Sequence, residues 1–84
     1  MVTISASDVH ARQLDHWMDP GPLGTLGVGT PFAIAAKVAK PEEEIVVLFG
    51  DGAWGCAGFD YDTLIRFNLP VVVVLANNAA WNQM

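Results

Sequence analysis

Eighty-four residues allow at most one small domain, and a chain of that size buries only about 60–65 % of its unfolded surface. Yet 52 % of the residues are hydrophobic and only 15 % charged, more apolar surface than a small solitary domain can hide, so the composition reads as a piece of something larger. A net charge of −5 with a pI near 4.5 excludes the basic stripe of a nucleic-acid binder, and a single cysteine excludes a disulfide framework and makes a reducing cytoplasm the expected compartment.

Met1 to His16 is mixed and polar, without a convincing period. It reads as a linker or lost context before a unit spanning residues 17–84. Ser7 or Asp8 is placed to cap a short helix through Leu14. His10 and His16 have no partner carboxylate or nucleophile at telling spacing and read as surface residues. No basic stretch leading into a long apolar core opens the chain, so no signal peptide is expected. Trp17 to Gly29 holds two prolines and four glycines in 13 residues, which excludes a regular element and marks a shaped loop.

Thr30 as N-cap and Pro31 at the first helical position predict a helix running to Lys40, with an alanine-rich face for close packing. Pro41 stops it, and Glu42, Glu43 and Glu44 read as a solvated turn. Ile45 to Phe49 is continuous and β-branched-rich, as in a strand buried on both faces of a parallel sheet. Small residues follow from Ala53 to Gly58, Trp54 apart. Phe59 to Phe67 reads as a helix with Phe59, Leu64 and Phe67 inward and Asp60, Asp62 and Arg66 outward, ended by Asn68 and Pro70. Val71 to Ala76 is a second buried strand. Both apolar runs are far shorter than the roughly 20 residues that span a bilayer. Strand, helix, strand is a βαβ unit, so the expected fold is α/β, a partial doubly wound parallel sheet.

The chemistry gathers where the two strands end. Gly50-Asp51-Gly52 closes the first and Asn77-Asn78 closes the second, and open α/β sheets place their ligand crevices at the carboxyl ends of strands. Asp51 offers a carboxylate and Asn78 an amide oxygen. Such hard donors suit Mg²⁺, which typically takes one or two carboxylates and completes its shell with water and phosphate oxygens. Glycine at positions 50 and 52 lets a phosphate approach the backbone N–H groups. The acidic run at Glu42–Glu44 would repel a phosphate and is assigned to the opposite end of the strand.

Gly50-Asp51-Gly52, then 24 residues, then Asn77-Asn78 resembles the cofactor motif of the thiamine diphosphate-dependent decarboxylase and synthase superfamily. The resemblance runs from about Trp17 to Gln83 and is nearest to acetolactate synthase-like proteins and to the related 2-hydroxyacyl-CoA and oxalyl-CoA lyases. It implies Asp51, Asn78 and the carbonyl of Ala80 as Mg²⁺ ligands, with the amides of Gly52 and Ala53 on the diphosphate. Some relatives carry glycine where Ala80 stands, which matters if that site needs a positive φ. Gly21-Pro22-Leu23-Gly24 resembles the segment that grips the aminopyrimidine, with the Gly21 carbonyl accepting from its amino group and Leu23 propping the cofactor into its bent form.

The resemblance further implies a pyrimidine-binding domain from a partner subunit, within a homo-oligomeric parent, that supplies an activating glutamate. No residue here matches that glutamate, so the segment alone is expected to be inactive. The implied substrates are 2-oxo acids, with 2-hydroxyacyl-CoA thioesters second. Trp54 and Trp81 could line a substrate pocket, although large aromatics more often pack, and Cys56 reads as a packing residue. Two other readings stay open. One is a Rossmann-type nucleotide-binding module with Gly27 and Gly29 on the phosphate, which lacks a preceding strand, a third glycine and an acidic ribose ligand. The other is a non-catalytic interaction fragment.

Overall fold

The computed structural model describes residues 8–81. In chain order they form α1 (Gly29–Ala39), β1 (Val46–Gly50), α2 (Asp51–Ala57), a 3₁₀ turn (Gly58–Asp60), α3 (Tyr61–Arg66) and β2 (Val72–Ala76). The two strands pair in parallel, from Val46 opposite Val72 to Gly50 opposite Ala76. The Val72 N–H donates to the Ile45 carbonyl at 2.8 Å and carries the ladder one step further. This is the expected βαβ arrangement, with α2 and α3 in the crossover. No helix among the described residues is long and apolar enough to cross a membrane.

Ala33 of α1 and Val47 and Phe49 of β1 form the buried cluster, with Ala53 and Tyr61 packed against it from α2 and α3. Gly29 explains the close seating of α1, since a Cβ there would stand 2.5 Å from Phe49 Cζ and 3.0 Å from Val47 Cγ1. At the far end of α1, the buried Lys37 donates from Nζ to the Glu43 carbonyl at 2.7 Å. That bond ties down the acidic turn, and Glu42, Glu43 and Glu44 lie exposed before β1. Five residues, 45–49, about 16 Å of extended chain, separate that turn from Gly50.

Four expectations need correction. Residues 8–14 form no helix, and Ser7 lies outside the described residues. Thr30 does not cap α1: the helix starts at Gly29, two residues before the expected Pro31, with Val28 at the cap position, and Thr30 is 1 % exposed with Oγ1 lacking a hydrogen-bond partner among the described residues. Pro31 still falls in the first turn, where a missing N–H costs nothing. The stretch after Gly50 is not a loop followed by one helix from Phe59. A helix begins at Asp51 itself, with Gly50 extended before it (φ −84°, ψ 159°). It breaks at Ala57 and resumes at Tyr61. The break turns the chain so that Phe59 and Phe67 face outward, 97 % and 70 % exposed, while Leu64 alone of the three is buried.

The fourth correction concerns the sheet. Its strands are not buried on both faces: all three helices gather on the Val47–Phe49 face, leaving Val46, Val72 and Val74 exposed on the other. An open two-stranded sheet with an apolar face is marginal in water. The 84-residue chain by itself is therefore expected to aggregate or melt without cooperativity, and a sharp, reversible monomer melt would contradict this.

The end of α3 follows sequence chemistry closely. Asn68 adopts φ +50°, its N–H donates to Ile65 and the Leu69 N–H reaches the Leu64 carbonyl at 2.8 Å. This is a Schellman closure, with Asn in the left-handed position and Pro70 beyond it. The exposed Asp62–Arg66 pair at 2.7 Å, one turn apart, adds only a few tenths of a kcal/mol.

Candidate functional site

The parallel register fixes the site. Gly50 stands opposite Ala76, and paired strands lie about 4.8 Å apart. Asp51 and Asn77 therefore leave the sheet side by side at its carboxyl end. Asp51 opens α2, so the amides of Asp51, Gly52 and Ala53 belong to the first turn and have no acceptor within the helix.

The second arm is folded by its own asparagines. The Ala79 N–H donates to Asn77 Oδ1 at 2.7 Å, and the Ala80 N–H donates to Asn78 Oδ1 at 3.2 Å. These paired Asx turns hold Ala79 at φ +57°, a left-handed conformation that costs a non-glycine residue about 1 kcal/mol. Ala80, where the sequence raised the question of a positive φ, does not have one. The arm then brings the Trp81 indole onto α2: a Cβ on Gly52 would lie 2.7 Å from Trp81 Nε1 and 2.8 Å from Cδ1. The side-chain direction of Gly52 is thus filled by an indole. No periodicity or spacing in the sequence signalled that contact.

Among the described residues no three His, Cys, Asp or Glu side chains gather into a metal cage. A divalent ion beside Asp51 would have one carboxylate, the Asn78 amide oxygen and a main-chain carbonyl from this chain. It would fill its remaining positions with oxygens from elsewhere. A sparse, hard donor set of this kind fits Mg²⁺ held jointly with a diphosphate and water, so the residues present suit that cofactor.

The loop before α1 presents the other candidate groups. Asp19 organises it, accepting from Trp17 Nε1 and from the Gly21 N–H, both at 2.7 Å. The indole hydrogen bond first, and the Gly21 amide second, hold the Asp19 carboxyl below its ordinary range. The Gly24 N–H donates to the Gly21 carbonyl at 3.1 Å, closing a turn that leaves Leu23 at its tip, 97 % exposed. That carbonyl keeps a second lone pair for an external donor. Gly27, at φ +86°, pins the end of the loop to α2, its Cβ position 3.0 Å from Cys56 Cβ. A side chain at that site would meet both strain and a clash.

His10 and His16 are exposed. Cys56 is exposed but donates from Sγ to the Gly52 carbonyl at 3.4 Å, within its own helix. Trp54 packs on Tyr61, ring centres 6.2 Å apart. Burial pushes the Tyr61 hydroxyl up, opposed by its Thr30 and Trp54 neighbours. A shallow pocket of about 310 Å³ lies between α3 and the start of β2, lined by Tyr61, Leu64, Ile65, Asn68 and Val71 among others. It sits at the opposite end of β2 from Asn77 and holds no metal-binding carboxylate, so it is not the cofactor site.

Comparison with known proteins places this geometry. All of residues 1–84 match the family described as "Thiamine pyrophosphate enzyme, C-terminal TPP binding domain". The chain is 45 % identical over 83 residues to 2-hydroxyacyl-CoA lyase 2 of Mus musculus, covering 99 % of this chain and 13 % of that protein. It is 47 % identical over 83 residues to the Homo sapiens protein of the same name, with the same coverage. Against a probable acetolactate synthase of Mycobacterium bovis the identity is 51 % over 89 aligned positions, 96 % of this chain and 16 % of that protein. The chain therefore spans about one-eighth of the length of the first curated relatives it matches. With its parallel βαβ unit and a family match over its whole length, the chain belongs to the C-terminal thiamine diphosphate-binding domain family of thiamine diphosphate-dependent enzymes.

Proposed function

We propose that this chain is the diphosphate- and Mg²⁺-binding segment of an enzyme that forms or cleaves the C–C bond next to a carbonyl. The observation that carries the reading is the register of Gly50 opposite Ala76, which sends Asp51 and the Asn77-Asn78 arm off the same sheet edge. In this reading Asp51, Asn78 and the Ala80 carbonyl hold the metal, and the Gly52 and Ala53 amides meet the diphosphate. The Gly21 carbonyl accepts from the aminopyrimidine, and Leu23 supports its bend. Bound thiamine diphosphate supplies the electron sink for the bond change. The residues here bind and orient it; the segment alone is inactive, because a pyrimidine-binding partner domain must contribute the activating glutamate.

A 2-oxo acid substrate of the acetolactate synthase type is favoured by the 51 % identity to the mycobacterial protein of that name. The relatives named 2-hydroxyacyl-CoA lyase 2 support a 2-hydroxyacyl-CoA thioester as the second reading. Isothermal titration of the complete protein with thiamine diphosphate tests the cofactor assignment. Heat that requires Mg²⁺ agrees with it, whereas NAD binding without thiamine diphosphate binding returns the chain to a nucleotide-binding module. Product analysis with pyruvate and with a 2-hydroxyacyl-CoA then separates the two substrates.

Leu23 offers a local test. Its exposure means that Leu23→Ala should move stability by less than about 0.5 kcal/mol. Because its assigned job is conformational, turnover is expected to fall by about tenfold or more, with a smaller change in cofactor affinity. Unchanged turnover would remove Leu23 from the site.

A further inference from the structure

The Trp81–Gly52 contact has a consequence for the two halves of the site. Asp51 belongs to a helix packed on β1, whereas Asn78 and Ala80 belong to an irregular arm after β2. The arm is shaped by its own asparagines, the Ala79 N–H donating to Asn77 Oδ1 and the Ala80 N–H to Asn78 Oδ1. The Trp81 indole joins it to α2, lying directly on Gly52, the neighbour of Asp51 in the chain. At 76 % exposure it contributes little to any core, and it occupies the one direction from Gly52 that a side chain would need.

We propose that Trp81 is a positioning residue for the metal and diphosphate: seated on Gly52, it locks the Asn78–Ala80 arm against the Asp51 arm, and position 52 is glycine to admit the indole. Holding the arms in register before ligand arrives removes an ordering cost from binding. The inference rests on the proposed role of Asp51 and Asn78, and it adds a residue and a reason for Gly52 that the diphosphate does not require.

A double-mutant cycle on the complete protein tests it, read as thiamine diphosphate affinity at several Mg²⁺ concentrations. Trp81→Ala is expected to weaken binding about tenfold and to raise the Mg²⁺ needed for half-saturation, with Trp81→Phe recovering most of the loss. Gly52→Ala should produce a similar loss in the Trp81 protein, because its Cβ expels the indole. In the Trp81→Ala background it should cost clearly less than it does in the Trp81 protein. Losses that multiply, or a Trp81→Ala protein with unaltered affinity and Mg²⁺ requirement, overturn the proposal. Multiplying losses in a protein whose binding still depends on Asp51 would sink it alone. Thiamine diphosphate binding that ignores Asp51 would sink the site reading and this inference together.

Discussion

Asp51→Ala is expected to abolish Mg²⁺-dependent retention of thiamine diphosphate in the complete protein. The carboxylate is the charged donor that directly follows β1, beside the Asn77-Asn78 arm that follows β2. Without it the ion would keep from this chain an amide oxygen and a carbonyl, neutral donors that hold a dication less tightly than a carboxylate does. Even outer-shell partners of a metal cost about 10–100-fold when removed, so loss of this ligand should exceed about 100-fold in cofactor affinity. Asp51→Asn, which keeps one oxygen and loses the charge, should fall between. Asp51 is partly exposed at the start of a helix, so melting of the cofactor-free protein should hardly change. Unaltered cofactor affinity in Asp51→Ala would show the ligand assignment to be wrong.

Phe49→Ala should be the most destabilising single change in the described core. Phe49 is 3 % exposed, lies against Gly29 of α1 and belongs to the cluster with Ala33 and Val47. Truncating a buried phenylalanine costs about 3–5 kcal/mol through lost burial and the cavity left behind. Here the ring also sets the height at which α1 rides over β1, so the cost should lie toward the upper end. Denaturant unfolding of the complete protein measures it, and a loss below about 1 kcal/mol would mean that α1 does not depend on this contact. Phe49 is also the residue before Gly50. Its loss should weaken cofactor binding as well, by loosening the strand that carries Asp51.

The elements that were legible in the sequence had strong local causes. Two β-branched runs gave the strands, Asn68 and Pro70 gave the end of α3, and the proline- and glycine-rich stretch from Trp17 gave the loop. The Gly50-Asp51-Gly52 and Asn77-Asn78 pair pointed to one sheet edge, and the register of β1 on β2 agrees with that. Illegible features depended on neighbours distant in the chain. Glycines at 52, 55 and 58 disguised α2, which forms because Asp51 starts it directly from the strand and Ala53 packs on the core. Phe59 and Phe67 fitted an inward helical face until the break at Ala57 rotated them out. Thr30 had the chemistry of a cap, but the helix begins at Gly29, where only a missing side chain fits against Phe49. The seating of Trp81 on Gly52 links positions 29 residues apart with no periodic signature at all.

In the proposed site one divalent ion joins the two strand ends. A crystal structure of the complete protein with thiamine diphosphate and Mg²⁺ tests it most directly. The account predicts a metal about 2.0–2.1 Å from both an Asp51 carboxylate oxygen and Asn78 Oδ1, bridging to the diphosphate. A cofactor whose metal is held by other residues, with Asp51 and Asn78 turned to separate surroundings, would contradict it.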